Sequence, residues 1–269
     1  MIFSISGKKQ SGKDTVAKII QGFDIWKRNL ALQTEYPLSN VFVRDYVLNR
    51  VSIYVSSWEV KKFANKLKEI VSILTGFTVE DLEKEEIKNT NLFLSYRLLN
   101  KKANTFEMFA SMEDLVERLN HLRTIYLDIY SAEEVNDIFI QETISVTPRL
   151  LLQTIGTDIV RAMHPDIWVN SLMNDYISYA DAISGTSKIK KLYPNWCITD
   201  VRFLNEVKAI KEKDGIVIRI NRESAYNSTH SSETALDDYE DFDYTIDNNN
   251  CIDCLIEQVK EILKHEKII

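Results

Sequence analysis

Residues 2–15, IFSISGKKQSGKDT, put two glycines, a lysine, a carboxylate and a hydroxyl into one short turn between an apolar run and a helical pattern. Gly7 and Gly12 bracket the turn, Lys13 follows, and Asp14 and Thr15 open the helix DTVAKIIQGF. The general phosphate-binding spacing is G-x-x-x-x-G-K-[ST], in which backbone N–H groups and a lysine surround the phosphates of a nucleotide. Glycine suits such a loop because it lacks a Cβ and reaches positive φ. The helix that follows adds the partial positive charge of its N-terminus. Gly7, Lys8, Lys9, Gln10, Ser11, Gly12, Lys13, Asp14 and Thr15 are therefore the candidate triphosphate-binding residues, with Lys13 the principal cation. Thr15 or Asp14 would place a hard oxygen on or near a magnesium ion. Asp14 departs from the general pattern, and the hydroxyl comes one residue later. Only 7 of 269 residues are glycine, well below the roughly 7% average, so two at this spacing argue against an incidental turn.

Other segments must position that loop. Glu59–Phe63, Trp196–Thr199, Gly215–Ile220 and Phe242–Ile246 read as strands, interleaved with helical patterns at 65–74, up to Asp214, and in the final IDCLIEQVKEIL. Strands alternating with helices predict an α/β fold, a parallel sheet of about five strands with helices on both faces. In that layout ligands sit at the C-terminal ends of the strands, which puts the Gly7–Thr15 loop and Asp200 on one edge. Residues 148–182 predict two helices broken around Met163-His164-Pro165, with Pro148 in the first turn and Asp166 capping the second. Residues 24–57 suggest a hairpin of VFVRDY and VSIYVSS, and 184–195 a polar loop. Several amphipathic patterns in 90–147, among them Thr105–Leu122, predict a helical insertion within a single domain of residues 1–269.

The composition narrows the partners. Hydrophobic residues at 45% and charged ones at 27% fit a soluble globular chain. A net charge of −7 argues against a nucleic-acid polymer, which would want a basic face. Three cysteines, Cys197, Cys251 and Cys254, are too few for a disulfide framework and point to a reducing compartment. Cys251 and Cys254 form a C-x-x-C pair. No second pair follows and a helical pattern starts there, so neither a metal nor a redox role is expected of it. Met1 leads straight into a strand, and no apolar run approaches the roughly 20 residues of a membrane span. The expectation is a cytoplasmic protein without a membrane partner.

Four segments together resemble the deoxynucleoside monophosphate kinases of bacteriophages: GKKQSGKDT at 7–15, FANKLKE at 63–69, PRLLLQTIGTDIVRAMHPDIWV at 148–169 and TDVRFLNEV at 199–207. A weaker fifth is THSSETA at 229–235 with DYTIDNN at 243–249. They match in order over roughly half the chain. The Gly-Lys-Asp-Thr ending, odd against the general pattern, is usual in that family. Segments 16–57 and 90–147 do not match and inherit nothing. The resemblance implies a fold of the P-loop NTPase type. It also implies an ATP-dependent, magnesium-assisted phosphotransferase that moves the terminal phosphoryl group of ATP to a deoxynucleoside monophosphate, in nucleotide supply for DNA synthesis. A phage-encoded member would work in the host cytoplasm. Related enzymes can be homodimers, but no interface is readable here.

Site roles follow from the same resemblance. Lys68 and Arg149 would contact the acceptor phosphate, Arg as a bidentate grip and Lys as a point charge. Arg161 and Arg202 are secondary candidates, and Lys66 a weaker one because the family commonly has proline there. Gly156 and Thr157 would approach the acceptor nucleotide, and Asp200 would serve magnesium or the sugar. Lys13, Arg149 and Asp200 form the expected catalytic set. Each has a plainer reading: Lys68 as a solvated charge, Arg149 paired with a carboxylate, Trp168 stacked on the base or packed in the core. Asn205 and Glu206 would read base or sugar, or Glu206 would carry charge on an exposed face. His230 reads as a loop hydrogen-bonder. The rival functions are a kinase of another small phosphorylated acceptor, such as phosphomevalonate, and a non-catalytic nucleotide-binding regulator. A nucleic-acid motor is poorly supported by the acidic balance.

Overall fold

The computed structural model describes residues 1–51, 54–182, 189–223 and 234–269. In chain order it contains β1 (Ile2–Ser6), α1 (Lys13–Arg28), α2 (Leu30–Glu35), α3 (Ser39–Val47), β2 (Trp58–Lys61) and α4 (Asn65–Thr75). A 3-10 turn at Asp81–Glu83 precedes α5 (Glu85–Lys88), β3 (Phe93–Asn100), β4 (Thr105–Phe109), α6 (Met112–Tyr126), α7 (Ala132–Ile138) and β5 (Phe139–Val146). Then come α8 (Pro148–Gln153), a wide helical stretch at Thr154–Arg161, α9 (Ile167–Met173), β6 (Tyr179–Ala182) and β7 (Ile189–Leu192). The chain closes with β8 (Asn195–Val201), α10 (Leu204–Lys211), β9 (Ile216–Asn221), β10 (Tyr244–Asp247) and α11 (Ile252–His265).

Two compact units result, one formed by 1–66 with 163–269 and the other by 67–162. The first holds a five-stranded sheet in the order β10-β9-β1-β8-β2, every neighbouring pair parallel. The five expected strands are all present. Alternation along the strands sends side chains to opposite faces. Phe3 and Ile5 of β1 join Ile216, Ile218 and Ile220 of β9 beneath α1, α3 and α11, where Val16, Ile20, Phe42, Ile256 and Val259 are buried. Ile2, Ile198 and Val217 pack on the other face with Val169 and Leu172 of α9 and Val207 and Ile210 of α10. Helices on both faces cover β1 completely, and all five of its residues are buried.

The hairpin expected in 24–57 is absent among the described residues, and VFVRDYV is helix α3. Phe42, Val43, Tyr46 and Val47 fall on one helical face, and the first two are fully buried. Residues at i, i+1, i+4 and i+5 mark a helix rather than an alternating strand. Asp166 stands at the start of α9 but makes no side-chain cap, and α9 stops at Met173 rather than running on to Asp181. The tail of that expected helix, Tyr179–Ala182, instead pairs antiparallel with Ile189–Leu192, so part of the expected 184–195 loop is strand. Residues 184–188 lie outside the described residues.

The second unit corrects the helical insertion. Its centre is an antiparallel sheet in the order β4-β3-β5, with Leu119 of α6 and Val135 of α7 packed on Leu98 and Phe139. The helix expected over Thr105–Leu122 is two elements. TFEMF pairs with β3, and Ser111 then caps α6 by accepting a hydrogen bond from the Asp114 N–H. A serine followed by two acidic residues is a strong helix start, and it splits a pattern that looks continuous. Pro148 opens α8 as expected, with Thr147 accepting from the Leu150 N–H.

Candidate active site

The turn between β1 and α1 is shaped for an anion. Gly12 sits at φ 105°, a conformation glycine tolerates and side chains resist. A Cβ at Gly7 would lie 2.5 Å from Ser11 Oγ and 2.8 Å from the Ile220 carbonyl, so the loop closes only around glycine. Helix α1 starts at Lys13 with no side-chain cap, leaving first-turn N–H groups for a ligand. Lys13 Nζ folds over the loop, donating to the carbonyls of Gly7 at 2.7 Å and Lys8 at 2.8 Å. Ser11 Oγ is buried with no hydrogen-bond partner among the described residues, an orphaned polar atom inside the loop. These features fit nucleotide phosphates.

Neighbouring strand ends brace the loop from outside. Asn248, past β10, donates from Nδ2 to the Ser11 carbonyl at 2.8 Å, and Arg222, past β9, donates to the Gln10 carbonyl at 3.2 Å. Lys8 Nζ lies 3.2 Å from Asp237, which also pairs with Arg219 at 3.0 Å. Asp14 is tied to the sheet: its Oδ1 accepts from Thr199 Oγ1 of β8 at 2.8 Å and lies 3.4 Å from Lys62 Nζ. Lys62 directly follows β2 and belongs to no recognised spacing, so sequence reasoning missed it. Only the parallel strand order, which places the end of β2 on the loop's edge, could have found it.

Several acceptor-side candidates in this unit have structural employment. Asp200 binds the Phe63 N–H through Oδ1 at 2.8 Å and the Ala64 N–H through Oδ2 at 2.9 Å, fixing the turn into α4. Glu206 is buried rather than on an exposed face, and its Oε2 accepts the N–H groups of Arg202 at 2.7 Å and Phe203 at 3.1 Å. Asn205 Nδ2 holds the Pro165 carbonyl at 3.0 Å and Asp166 Oδ1 at 2.8 Å. Trp168 is 6% exposed on α9. Arg202 stands at the C-terminal end of β8, half-buried, and Lys66 is exposed. His230 and most of THSSETA lie outside the described residues.

The other unit gathers a second group. Lys68 of α4 is 7% exposed and paired with Glu83, so it is not a solvated charge. Arg149 of α8 donates from Nε to Asn89 Oδ1 at 2.9 Å and pairs with Glu85 at 2.5 Å. Lys88 of α5 lies 3.8 Å from Glu85. Burial pushes the Lys88 amine below its ordinary pKa against the pull of Glu85 and Glu83, and the charges of Lys68 and Arg149 push the same way. Three cations thus share two carboxylates. Lys88 was not among the sequence candidates, because it lies in no matched segment. Gly156 is buried in the wide helical stretch, where a Cβ would come within 2.5 Å of Leu67 Cδ2. Its smallness serves the approach of α4. Thr157 and Arg161, on the same stretch, are half-buried.

Among the described residues no group of three or more His, Cys, Asp or Glu side chains is placed to hold a metal by itself. Magnesium in a nucleotide site takes one or two protein oxygens and the remainder from phosphate and water, which Thr15 and Asp14 can supply. No helix is long and apolar enough to cross a membrane among the described residues.

Residues 1–259 match the sequence model of the deoxynucleotide monophosphate kinase family. A protein of Acanthamoeba polyphaga mimivirus, provisionally named a deoxynucleotide monophosphate kinase, is 30% identical over 132 residues, covering 49% of this chain and 68% of the relative.

Proposed function

Because the chain belongs to the deoxynucleotide monophosphate kinase family, we propose that it transfers the terminal phosphoryl group of ATP to a deoxynucleoside monophosphate. The products are the diphosphate and ADP, and the reaction supplies precursors for DNA synthesis in the cytoplasm, that of a host cell if the gene is a phage's. The observation that carries this reading is the family match joined to a glycine-bracketed, lysine-capped turn at the C-terminal edge of a parallel sheet.

Phosphoryl transfer of this kind asks for positioning and charge neutralisation more than covalent chemistry. The loop from Gly7 to Thr15 binds the donor phosphates, its N–H groups and Lys13 replacing the contacts Lys13 now makes to the loop carbonyls. Thr15 and Asp14 would hold magnesium, which would supply neutralisation of charge on the phosphates. Lys62 sits beside Asp14 as a further cation. Arg202, at the end of β8, serves the acceptor, while Asp200, Asn205 and Glu206 hold the backbone that carries these groups and act as positioning residues. In the other unit, taken by itself, Lys68, Lys88 and Arg149 form a cationic group suited to a phosphate, an anion that would take over the charge balance Glu83 and Glu85 now provide. Thr157 and Arg161 are secondary contacts, Trp168 packs rather than stacks, and the whole chain works as one kinase domain.

A panel of deoxy- and ribonucleoside monophosphates, with phosphomevalonate as a control acceptor, tests this in the presence of ATP and magnesium. ADP release should require a deoxynucleoside monophosphate. Turnover with phosphomevalonate alone, or ATP binding without ADP from any acceptor, would refute it.

A further inference from the structure

Cys251 and Cys254 occupy the cap and third positions of α11, both exposed, with sulfurs 2.9 Å apart. We propose that they form a thiol–disulfide exchange site that reacts with low-molecular-weight disulfides of the glutathione type. Cys251 attacks and Cys254 resolves. The sequence alone suggested no such role, since spacing does not show where the sulfurs point.

The geometry supplies that. Side chains three apart at a helix start lie on one face, and a disulfide needs its sulfurs at about 2.05 Å, so closure asks for an approach of about 0.9 Å. The helix beneath is fixed, because Leu255, Ile256, Val259 and Leu263 are buried in the core. Gln258 ties the turn down, its Nε2 donating to the Asp247 carbonyl at 3.0 Å and the Cys254 carbonyl at 3.3 Å. The two thiols are not equivalent. The Cys254 thiol beside it, with the polar N–H groups of the first turn nearby, holds Cys251 below the ordinary thiol range, while Cys254 is raised. Asp253 opposes a thiolate there, but its carboxylate is 3.6 Å from Arg44. A first-turn thiolate facing solvent is the reactive kind. Cys197 is fully buried in the sheet and raised by that burial, which makes it an inert internal reference.

The exchange balances. The Cys251 thiolate attacks one sulfur of the disulfide, forming a mixed disulfide and expelling one thiolate. The Cys254 thiolate then attacks Cys251 Sγ and expels the second. The protein loses two electrons and two protons, and the small disulfide becomes two thiols.

The full reduced chain is treated with oxidised glutathione, quenched, alkylated under denaturant and mapped by mass spectrometry. Wild type should yield a 251–254 bridge, a peptide lighter by two hydrogens, with Cys197 still alkylated. Cys254→Ser should stop as a glutathione adduct on Cys251, and that adduct should form several-fold faster than the one on Cys254 in Cys251→Ser. Both side chains are exposed, so both variants should keep the wild-type circular dichroism spectrum. Free thiols at both positions after a large excess of oxidant would overturn the site. So would bridges only between molecules, and equal adduct rates in the two variants would overturn the assignment of Cys251 as attacker.

Discussion

Thr199 and Asp14 are joined across the phosphate loop's edge, the buried Thr199 hydroxyl donating to Asp14 Oδ1 at 2.8 Å. The bond ties the first turn of α1 to β8, so the carboxylate in the usual Ser/Thr place is a fixed group. Thr199→Val keeps the shape and removes only the donor. A hydrogen bond to a charged acceptor contributes about 1.5–3 kcal/mol, and the exposure of the Asp14 side chain puts this one at the low end. The variant should lose about that much in urea unfolding and show about a two- to tenfold higher KM for magnesium-ATP with kcat nearly kept. An unchanged KM would mean Asp14 takes no part in donor binding.

Lys13 Nζ donates to two carbonyls of its own loop, contacts that a bound phosphate would replace under the proposed function. Lys13→Ala should therefore melt near the wild-type temperature. Its turnover should fall by about 10²–10³, the scale of losing one preorganised charge contact to a transition state. ADP release measured beside a thermal scan separates the two effects.

How much of this was readable beforehand depends on the range of the interaction. The loop, the five strands of the parallel sheet and α11 were readable because their signals are local: a glycine spacing, β-branched runs, helical periodicity. VFVRDY misled because six residues of apolar-rich chain fit two periods, and packing against α1 decides between them. TFEMF and Ser111 show the same at an element boundary, where a cap cuts a pattern in two. Site roles were hardest. Asp200 and Glu206 look like ligand carboxylates in a string of letters, and what the letters do not show is that their oxygens also accept from backbone N–H groups brought near by the fold. Lys62 and Lys88 were invisible because the fold, not the spacing, brings Asp14 beside Lys62 and gathers Lys68 and Arg149 around Lys88.

Gly156 tests whether a residue in a matched segment serves the substrate or the packing. Gly156→Ala would set a Cβ 2.5 Å from Leu67 Cδ2, an overpacking that costs about 1–3 kcal/mol. Combining it with Leu67→Val should recover part of that loss, since the far end of the leucine side chain is what collides. Chemical denaturation of both single variants and the double variant reads the coupling. Additive losses would return Gly156 to a direct role at the acceptor.

Lys88 makes the opposing demands of stability and function measurable together. Its folded-state pKa lies below the ordinary lysine value, with burial the first cause. For a base shifted down, the unfolded chain holds the extra proton between the two pKa values. Stability therefore rises with pH across that window, and a constant penalty is present below it. Lys88→Met keeps the buried stem and removes the charge, so it should unfold at higher urea than wild type at neutral pH. The gain should shrink as pH climbs through the depressed value towards the free-lysine value near 10.4. If Lys88 also meets the acceptor's phosphate, the same variant should raise KM for the monophosphate about tenfold or more, as losing a charged hydrogen bond does, and leave KM for ATP alone. Equal stability at every pH would show that burial sets no penalty there. An unmoved monophosphate KM would remove Lys88 from the acceptor's cations and leave Lys68 and Arg149 as its main phosphate contacts in that unit.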